Sequence, residues 1–175
     1  MFERFLDFVK EEKEVVFNSN EEFLKAMGGK TFLNGMYRIF TENDVPKWNG
    51  IVEQIFPRCK NRISVFGYDW FGRIFALNKE SNTVLLFEPG TGDVFDIPAN
   101  IAEFHDVEIV ERHQDSLLSE YFEEWFEAND NFVLPSNKCV GYKIPLFLNG
   151  EDELDNLEVS DMEVYWEIMM PLINL

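Results

Sequence analysis

The chain contains 175 residues, of which 46% are hydrophobic and 15% are aromatic. This length and composition suffice for one domain with a sizeable core, and they exclude an intrinsically disordered chain. The formal net charge of −18 disfavours binding to nucleic acid and to anionic membrane surfaces, because both repel an acidic protein. The same charge speeds the encounter with a basic partner through a long-range field that salt screens.

The acidic residues are concentrated in the second part of the chain. Residues 1–99 contain 15 acids and 12 bases, whereas residues 100–175 contain 18 acids and three bases. We therefore expect the second part to meet a positively charged partner. An acidic surface that serves solubility alone is the alternative interpretation of this charge.

The first 60 residues predict a helix-rich subregion. Apolar residues recur at helical spacing over residues 2–9, and residues 19–22 form a capping box for a second helix. Residues 32–40 are predicted to form strand around the Asn34-Gly35 turn signal, and a helix with most of its apolar residues on one face is expected from residue 45 to Pro57.

From residue 61 onwards, short apolar runs alternate with turn sequences, which predicts a meander of antiparallel strands. The runs cover residues 63–68, 73–78, 83–87 and 93–97. Because the strand centres are apolar, we expect a largely buried sheet that helices cover on one face. The predicted fold class is α+β, with an antiparallel meander flanked by helices in a single domain over residues 1–175.

The C-terminal part predicts two further helices. Residues 115–128 place apolar side chains on one side and four glutamates on the other, which is typical of an amphipathic helix. Residues 140–148 are predicted to be extended. Residues 160–163 form a capping box for a last helix that breaks near Pro171, with a strand over residues 164–168 as the alternative.

Two cysteines, Cys59 and Cys139, form no Cys-x-x-Cys motif, so we expect free thiols. Charged residues interrupt the apolar run at the N-terminus, and no stretch is long and apolar enough for a signal-peptide core or a membrane span. The sequence therefore predicts a cytoplasmic protein without membrane contact.

The turn within residues 66–73 is the clearest structural motif. Gly67 and Gly72 bracket Asp69 and Trp70, and Arg73 follows closely enough to pair with Asp69 and fix the hairpin. Arg73 stays protonated and accepts no proton, so this pair is unsuited to general acid–base catalysis.

Other candidate sites for chemistry lack the required spacing. The glycine-rich residues 88–93 lack the end of a phosphate loop and the third glycine of a dinucleotide turn. His105 and His113 are eight residues apart, whereas a helical zinc motif needs a spacing of four. Residues 151–158 lack the alternating aspartates of a calcium loop. We predict no catalytic residue, metal or cofactor, and a hydrolase that uses Cys139 or Asp69 is the enzymatic alternative.

The densest acidic stretch, residues 151–158, follows an apolar run. Its carboxylates suit contact with lysines and arginines of a partner, with a solvated loop as the alternative interpretation. Aromatic side chains anchor interfaces that charge only steers, so Tyr142, Phe147 and Trp166 are candidate contacts, with a place in the core as the alternative. The predicted partner-binding residues are Glu151, Asp152, Glu153, Asp155, Glu158, Tyr142 and Trp166.

Several widely separated motifs together resemble one bacterial protein family. The matching segments are Phe66–Ala76, Leu86–Gly92, Cys139–Gly150 and Asn156–Trp166, with Asn34–Ile39 and Trp48-Asn49 upstream. They resemble the Tdi-type immunity family of type VI secretion, whose N-terminal part is GAD-like and corresponds to the helix-rich residues 1–60. The structural motif residues are Gly67, Asp69, Trp70, Gly72, Arg73, Pro145 and Asp161.

The resemblance implies a cytoplasmic antidote in bacterial competition that binds a DNase effector and blocks it, without enzymatic activity. We therefore expect an acidic immunity protein whose cognate toxin is a basic nuclease. The alternative is an intracellular protein-interaction or regulatory scaffold module without a toxin partner. No feature of the sequence assigns an oligomeric state.

Overall fold

The computed structural model describes residues 1–11 and 16–173. The helices are α1 (Glu3–Phe8), α2 (Asn20–Met27), α3 (Val45–Ile55), α4 (Ile101–Glu103, continued by a π-helical turn over Phe104–Ile109), α5 (His113–Leu117), α6 (Ser119–Ala128) and α7 (Met162–Ile173). The strands are β1 (Thr31–Phe32), β2 (Tyr37–Ile39), β3 (Ile63–Asp69), β4 (Ile74–Asn78), β5 (Val84–Glu88), β6 (Asp93–Ile97), β7 (Lys138–Tyr142) and β8 (Leu157–Asp161).

The first six strands form one antiparallel sheet in the order β1-β2-β3-β4-β5-β6, and β7 pairs with β8 in a second, two-stranded sheet. The α+β fold class and the four-strand meander are therefore confirmed. The change of pattern near residue 61 does not divide the sheet, because Tyr37 of β2 pairs with Asp69 of β3. The helix-rich N-terminal part and the strands that follow thus share one sheet.

Apolar cores lie on both faces of the large sheet. Phe75 of β4 belongs to a core cluster with side chains from α1, α2, α4 and α6, whereas its neighbours Ile74 and Ala76 belong to a second cluster with side chains from α3 and α7. Successive side chains of a strand point to opposite faces, so a strand buried on both faces is apolar at every position. Helices therefore cover both faces, not the single face that we expected.

A buried ion pair fixes the turn between β3 and β4. Arg73 Nε donates to Asp69 Oδ2 at 2.7 Å, and the two side chains are 5% and 0% exposed. The second carboxylate oxygen, Oδ1, accepts the backbone N–H groups of Phe71 and Arg73. Glu88, at the end of β5, lies 3.7 Å from Arg73 Nε. The predicted pairing of Asp69 with Arg73 is thus confirmed, and it occurs in the core.

The predicted helix over residues 115–128 is divided into α5 and α6. Leu118 separates them with a left-handed backbone at φ 52°. The carbonyl of Ser116 accepts from Arg73 Nη2 at 3.0 Å, and the carbonyl of Leu117 accepts from Trp70 Nε1 at 2.9 Å. Because these two carbonyls accept hydrogen bonds from the β3–β4 turn, helix α5 ends at Leu117, where it contacts that turn.

The second sheet differs from the expected extended run over residues 140–148. Strand β7 ends at Tyr142, and Leu146–Leu148 form a 3₁₀ turn after the buried Pro145. Strand β8, which begins at the end of the acidic stretch, was not predicted, because Glu158 weakens the apolar alternation there. The acidic residues therefore lie partly on a strand and partly on the loop before it.

The last helix, α7, settles the alternative over residues 164–168 in favour of helix. Its cap is Asp161, not Ser160, because Asp161 Oδ1 accepts the backbone N–H of Glu163 at 3.1 Å. The helix does not break at Pro171, which lies in its last turn, where a missing N–H removes only one intrahelical bond.

We expect Asp69→Ala to lower the free energy of unfolding by about 3–5 kcal/mol, because it leaves the Arg73 guanidinium buried without its main partner. Urea denaturation followed by circular dichroism measures this loss. Glu80→Ala is the matched control: it breaks the exposed ion pair with Arg62, which we expect to change stability by about 0–1 kcal/mol. Equal effects of the two substitutions would contradict a structural role for the buried pair.

Candidate partner-binding site

The acidic segment is held by a network of backbone contacts centred on Asn156. The side chain of Asn156 donates to the carbonyls of Ile144 at 2.9 Å and Glu151 at 2.8 Å, and its Oδ1 accepts from the backbone N–H of Ile144. Lys143 adds a backbone bond to the carbonyl of Asn156 at 2.7 Å. These bonds join the two ends of the loop between β7 and β8, so its backbone has a defined path.

Glycine is required at position 150, immediately before the acidic residues of the loop, because no space is available for a side chain there. A Cβ atom at Gly150 would lie 1.9 Å from the carbonyl oxygen of Ile144, so a larger residue would push the loop away from β7. Its backbone N–H donates to the carbonyl of Pro145 at 3.1 Å. Asn149, the preceding residue, has a left-handed backbone that asparagine tolerates better than most residues. The sequence thus encodes a tight turn before the carboxylates.

All five predicted acidic contact residues point to solvent: Glu151, Asp152, Glu153, Asp155 and Glu158. Asp152 accepts a hydrogen bond from the hydroxyl of Tyr142 at 2.6 Å. Lys143, the nearest base in sequence, donates to the backbone carbonyl of Asp155 and forms no ion pair with its carboxylate. Among the residues that the structure describes, none is an ion-pair partner of any of these five carboxylates. Their charge is therefore available to a partner.

Helix α6 extends this acidic surface. Burial and the nearby carboxylates of Asp152, Glu124 and Glu153 together raise the pKa of Tyr121 to about 12, and burial is the largest cause. Glu124 belongs to the exposed face of α6, so the helix and the loop contribute charge to the same region. The sequence showed both acidic runs but not that the fold places them together.

Two predicted aromatic contacts are buried. Trp166 is fully buried, and its indole N–H donates to the carbonyl of Gly72 at 2.7 Å. Tyr142 is 5% exposed, and its ring packs against Gly90. The assignment of these two rings to a contact surface is therefore corrected: they belong to the core, the alternative that their apolar surroundings also suggested. Phe147 is 36% exposed and stays at the surface.

The residues weighed for catalysis are also buried. Cys139 is fully buried, and burial raises the pKa of its thiol well above the usual value. His105 is fully buried between the hydroxyl of Tyr37 and the carbonyl of Ile101, and burial lowers its pKa to about 3. Both expected free thiols are confirmed, since Cys59 and Cys139 form no disulfide. Neither Cys139 nor His105 is accessible to a substrate in this arrangement.

One contact between a histidine and a serine was not considered from the sequence. His113 Nδ1 lies 2.7 Å from Ser119 Oγ, and the His113 ring stacks on Phe8. A catalytic serine needs an accessible hydroxyl, whereas Ser119 is only 2% exposed. The contact therefore joins α5 to the start of α6 in a structural role.

Within residues 1–11 and 16–173, no group of three or more histidine, cysteine or acidic side chains is arranged to hold a metal ion. None of the helices in this described part of the chain has the length and apolar character needed to cross a bilayer.

Comparison with known proteins shows similarity to solved structures but to no protein family. No family model matches the chain, and no curated protein matches it. The crystal structure of Atu4351 from Agrobacterium tumefaciens is similar, with a TM-score of 0.71 and 15% sequence identity. The similarity covers 97% of this chain and 88% of that chain. At this identity the comparison shows a shared fold.

We expect acid to destabilise the protein through His105. The unfolded chain binds a proton near the ordinary pKa of 6.5, whereas the folded pKa is about 3. The contribution of neutral His105 is thus fully present above pH 6.5 and is lost as the pH falls towards 3. Between pH 7 and 5, wild type should lose about 2 kcal/mol more stability than His105→Phe, measured by urea unfolding. An equal loss in both proteins would contradict this assignment.

Proposed function

We propose that this chain is an immunity protein that binds a basic toxin of the nuclease class and blocks it by stoichiometric occlusion. The observation that carries the proposal is the set of exposed carboxylates from Glu151 to Glu158, which form no ion pair with the described residues and lie on or next to a loop whose two ends are joined by hydrogen bonds. The resemblance of the separated motifs to the Tdi-type immunity family supports the same function.

Charge distribution favours a basic partner. The chain has a net charge of −18, and residues 100–175 carry most of it. A dense set of carboxylates attracts the lysines and arginines with which a nuclease holds phosphates, because carboxylates and phosphates accept the same hydrogen bonds. A protein bound there would exclude nucleic acid from the basic surface. This mechanism needs no chemistry from the inhibitor.

The rigidity of the acidic loop supports binding over solubility as its role. Charges that only improve solubility need no fixed positions, whereas a complementary surface gains affinity when its groups are already in place. The Asn156 contacts and the close approach at Gly150 fix the loop against β7. The protein thus presents its charges on a preformed surface.

The proposal is tested by co-expressing the chain with the product of the gene immediately upstream. We expect the neighbour to be toxic alone, the host to survive when both are made, and the two proteins to co-purify in a fixed ratio. A harmless neighbour that forms no complex would contradict the proposal and favour a regulatory scaffold module.

We predict that reversing four charges of the acidic stretch, residues 151–158, slows association with the toxin. Glu151, Glu153, Asp155 and Glu158 are changed to lysine, and the association rate at low salt should fall by roughly tenfold or more, with a weaker salt dependence. Stopped-flow or surface-binding kinetics at low and high salt measure both quantities.

The matched control reverses four exposed acids outside the loop and so makes the same change in net charge: Glu3, Glu21, Glu42 and Glu80. It should retain most of the association rate. Equal slowing by both variants would show that net charge alone acts, and an unchanged rate in the loop variant would place the contact elsewhere.

A further inference from the structure

An apolar groove lies beside the acidic loop. Its floor is formed by Tyr165 and Met169 of α7, and its walls by Ile144, Leu148 and Ile168, around a cavity of about 340 Å³. Three wall residues are largely open to solvent: Ile144 is 53% exposed, Leu148 is 44% exposed and Ile168 is 55% exposed. Contiguous apolar side chains at this exposure mark an interaction site more often than a chance feature of the surface.

The groove continues beyond this cavity in both directions. Leu148 and Leu172 also line a second cavity of about 310 Å³, which reaches Gly92 in the turn between β5 and β6. On the other side, Lys143 and Ile144 are shared with a cavity of about 390 Å³ under the acidic loop. The apolar surface is therefore elongated, and its length suits a chain segment better than a single small molecule.

Carboxylates border the groove on the side of the loop. Glu158, on β8, lines the apolar cavity itself, while Glu151, Glu153 and Asp155 line the adjoining cavity. Lys143 lines both cavities, but its amine is bound to the carbonyl of Asp155. The border is thus acidic, and it complements positive charge close to apolar side chains.

We propose that this groove binds an amphipathic segment of a basic partner protein. Apolar side chains of the segment enter between Leu148 and Ile168, and its lysines or arginines meet Glu158 and the loop carboxylates. The inference rests on the proposed function for the identity of the partner, the toxin, and it adds the surface and the kind of segment that the surface takes. Apolar anchors provide the binding energy that exposed charges lack.

The test replaces apolar groove residues by serine, which changes no charge. The variant carries Leu148→Ser and Ile168→Ser, and the matched control carries Phe132→Ser and Val133→Ser, two residues at 47% and 53% exposure in the loop after α6. Circular dichroism melting checks that both variants fold. With the co-expressed toxin, the groove variant should bind roughly tenfold or more weakly, while the control keeps wild-type affinity. Wild-type affinity in the groove variant would overturn the inference and leave the immunity function standing.

A second measurement needs no toxin and separates the two proposals. The probe is a synthetic helical peptide of leucine and lysine, with leucines at helical spacing along one face, and the comparison peptide has glutamine in place of leucine. Amide chemical shifts of the wild-type protein should change around residues 142–148 and 158–172 with the leucine peptide only. Changes elsewhere, or equal changes with the glutamine peptide, would overturn the inference. A harmless upstream gene product together with groove binding of the leucine peptide would refute only the immunity function.

Discussion

The buried ion pair between Asp69 and Arg73 is the constraint on which the arrangement of the other elements depends. A charge in the core is tolerated only when it is paired and hydrogen-bonded, so the turn, the carboxylate and the guanidinium must adopt one geometry. Arg73 Nη2, which also contacts Asp69, donates to the carbonyl of Ser116, and the indole N–H of the adjacent Trp70 donates to the carbonyl of Leu117. The break between α5 and α6 follows from these two bonds.

The same turn orients the C-terminal part. The carbonyl of Trp70 accepts the backbone N–H of Val140 in β7, and the carbonyl of Gly72 accepts the indole N–H of Trp166 in α7. The segment that follows strand β7 and helix α7 form the two sides of the apolar groove, so both sides are attached to elements that bond to backbone groups of one turn. Glycine at position 72 allows this approach, because its φ of 74° disfavours other residues.

A second line of contacts connects the core with the acidic loop. Arg73 lies closer to the carboxylate of Asp69 than to that of Glu88. Burial raises the pKa of Glu88 to about 7, although the positive charge of Arg73 opposes this shift. Glu88 accepts the backbone N–H of Gly90 at 3.1 Å, and Gly90 packs against the ring of Tyr142. The hydroxyl of Tyr142 in turn donates to Asp152. Tyr142 therefore contributes to the acidic surface from within, by holding one of its carboxylates.

Local sequence signals predicted the meander well because its strands are short, apolar and separated by turn residues. The pair of Asp69 with Arg73 was predictable for the same reason, since both residues lie in one turn. The division at Leu118 was not predictable, because the groups that end α5 come from a distant turn. Burial of Trp166 likewise depends on Gly72, which lies 94 residues away in sequence. Amphipathic patterns do not contain such information.

The acidic residues of the site were visible in the sequence, whereas the groove was not. Its walls come from the segment after β7 and from α7, and residues such as Ile144 and Ile168 look like ordinary core positions in the sequence. Only the packing of α7 through Trp166 and Met169 shows that Ile168 faces outwards. Apolar composition alone does not distinguish a core residue from an exposed anchor.

The two parts of the proposed surface have different physical roles. Exposed carboxylates act over a distance of about one Debye length, ~8–10 Å at moderate salt, and they attract any basic protein. They therefore raise the encounter rate but discriminate poorly between partners. An apolar groove acts only at contact and rejects segments that leave it unfilled or place a charge in it. The proposed inhibition of one toxin among many basic proteins would need both properties, and Glu158 belongs both to the groove and to the acidic stretch.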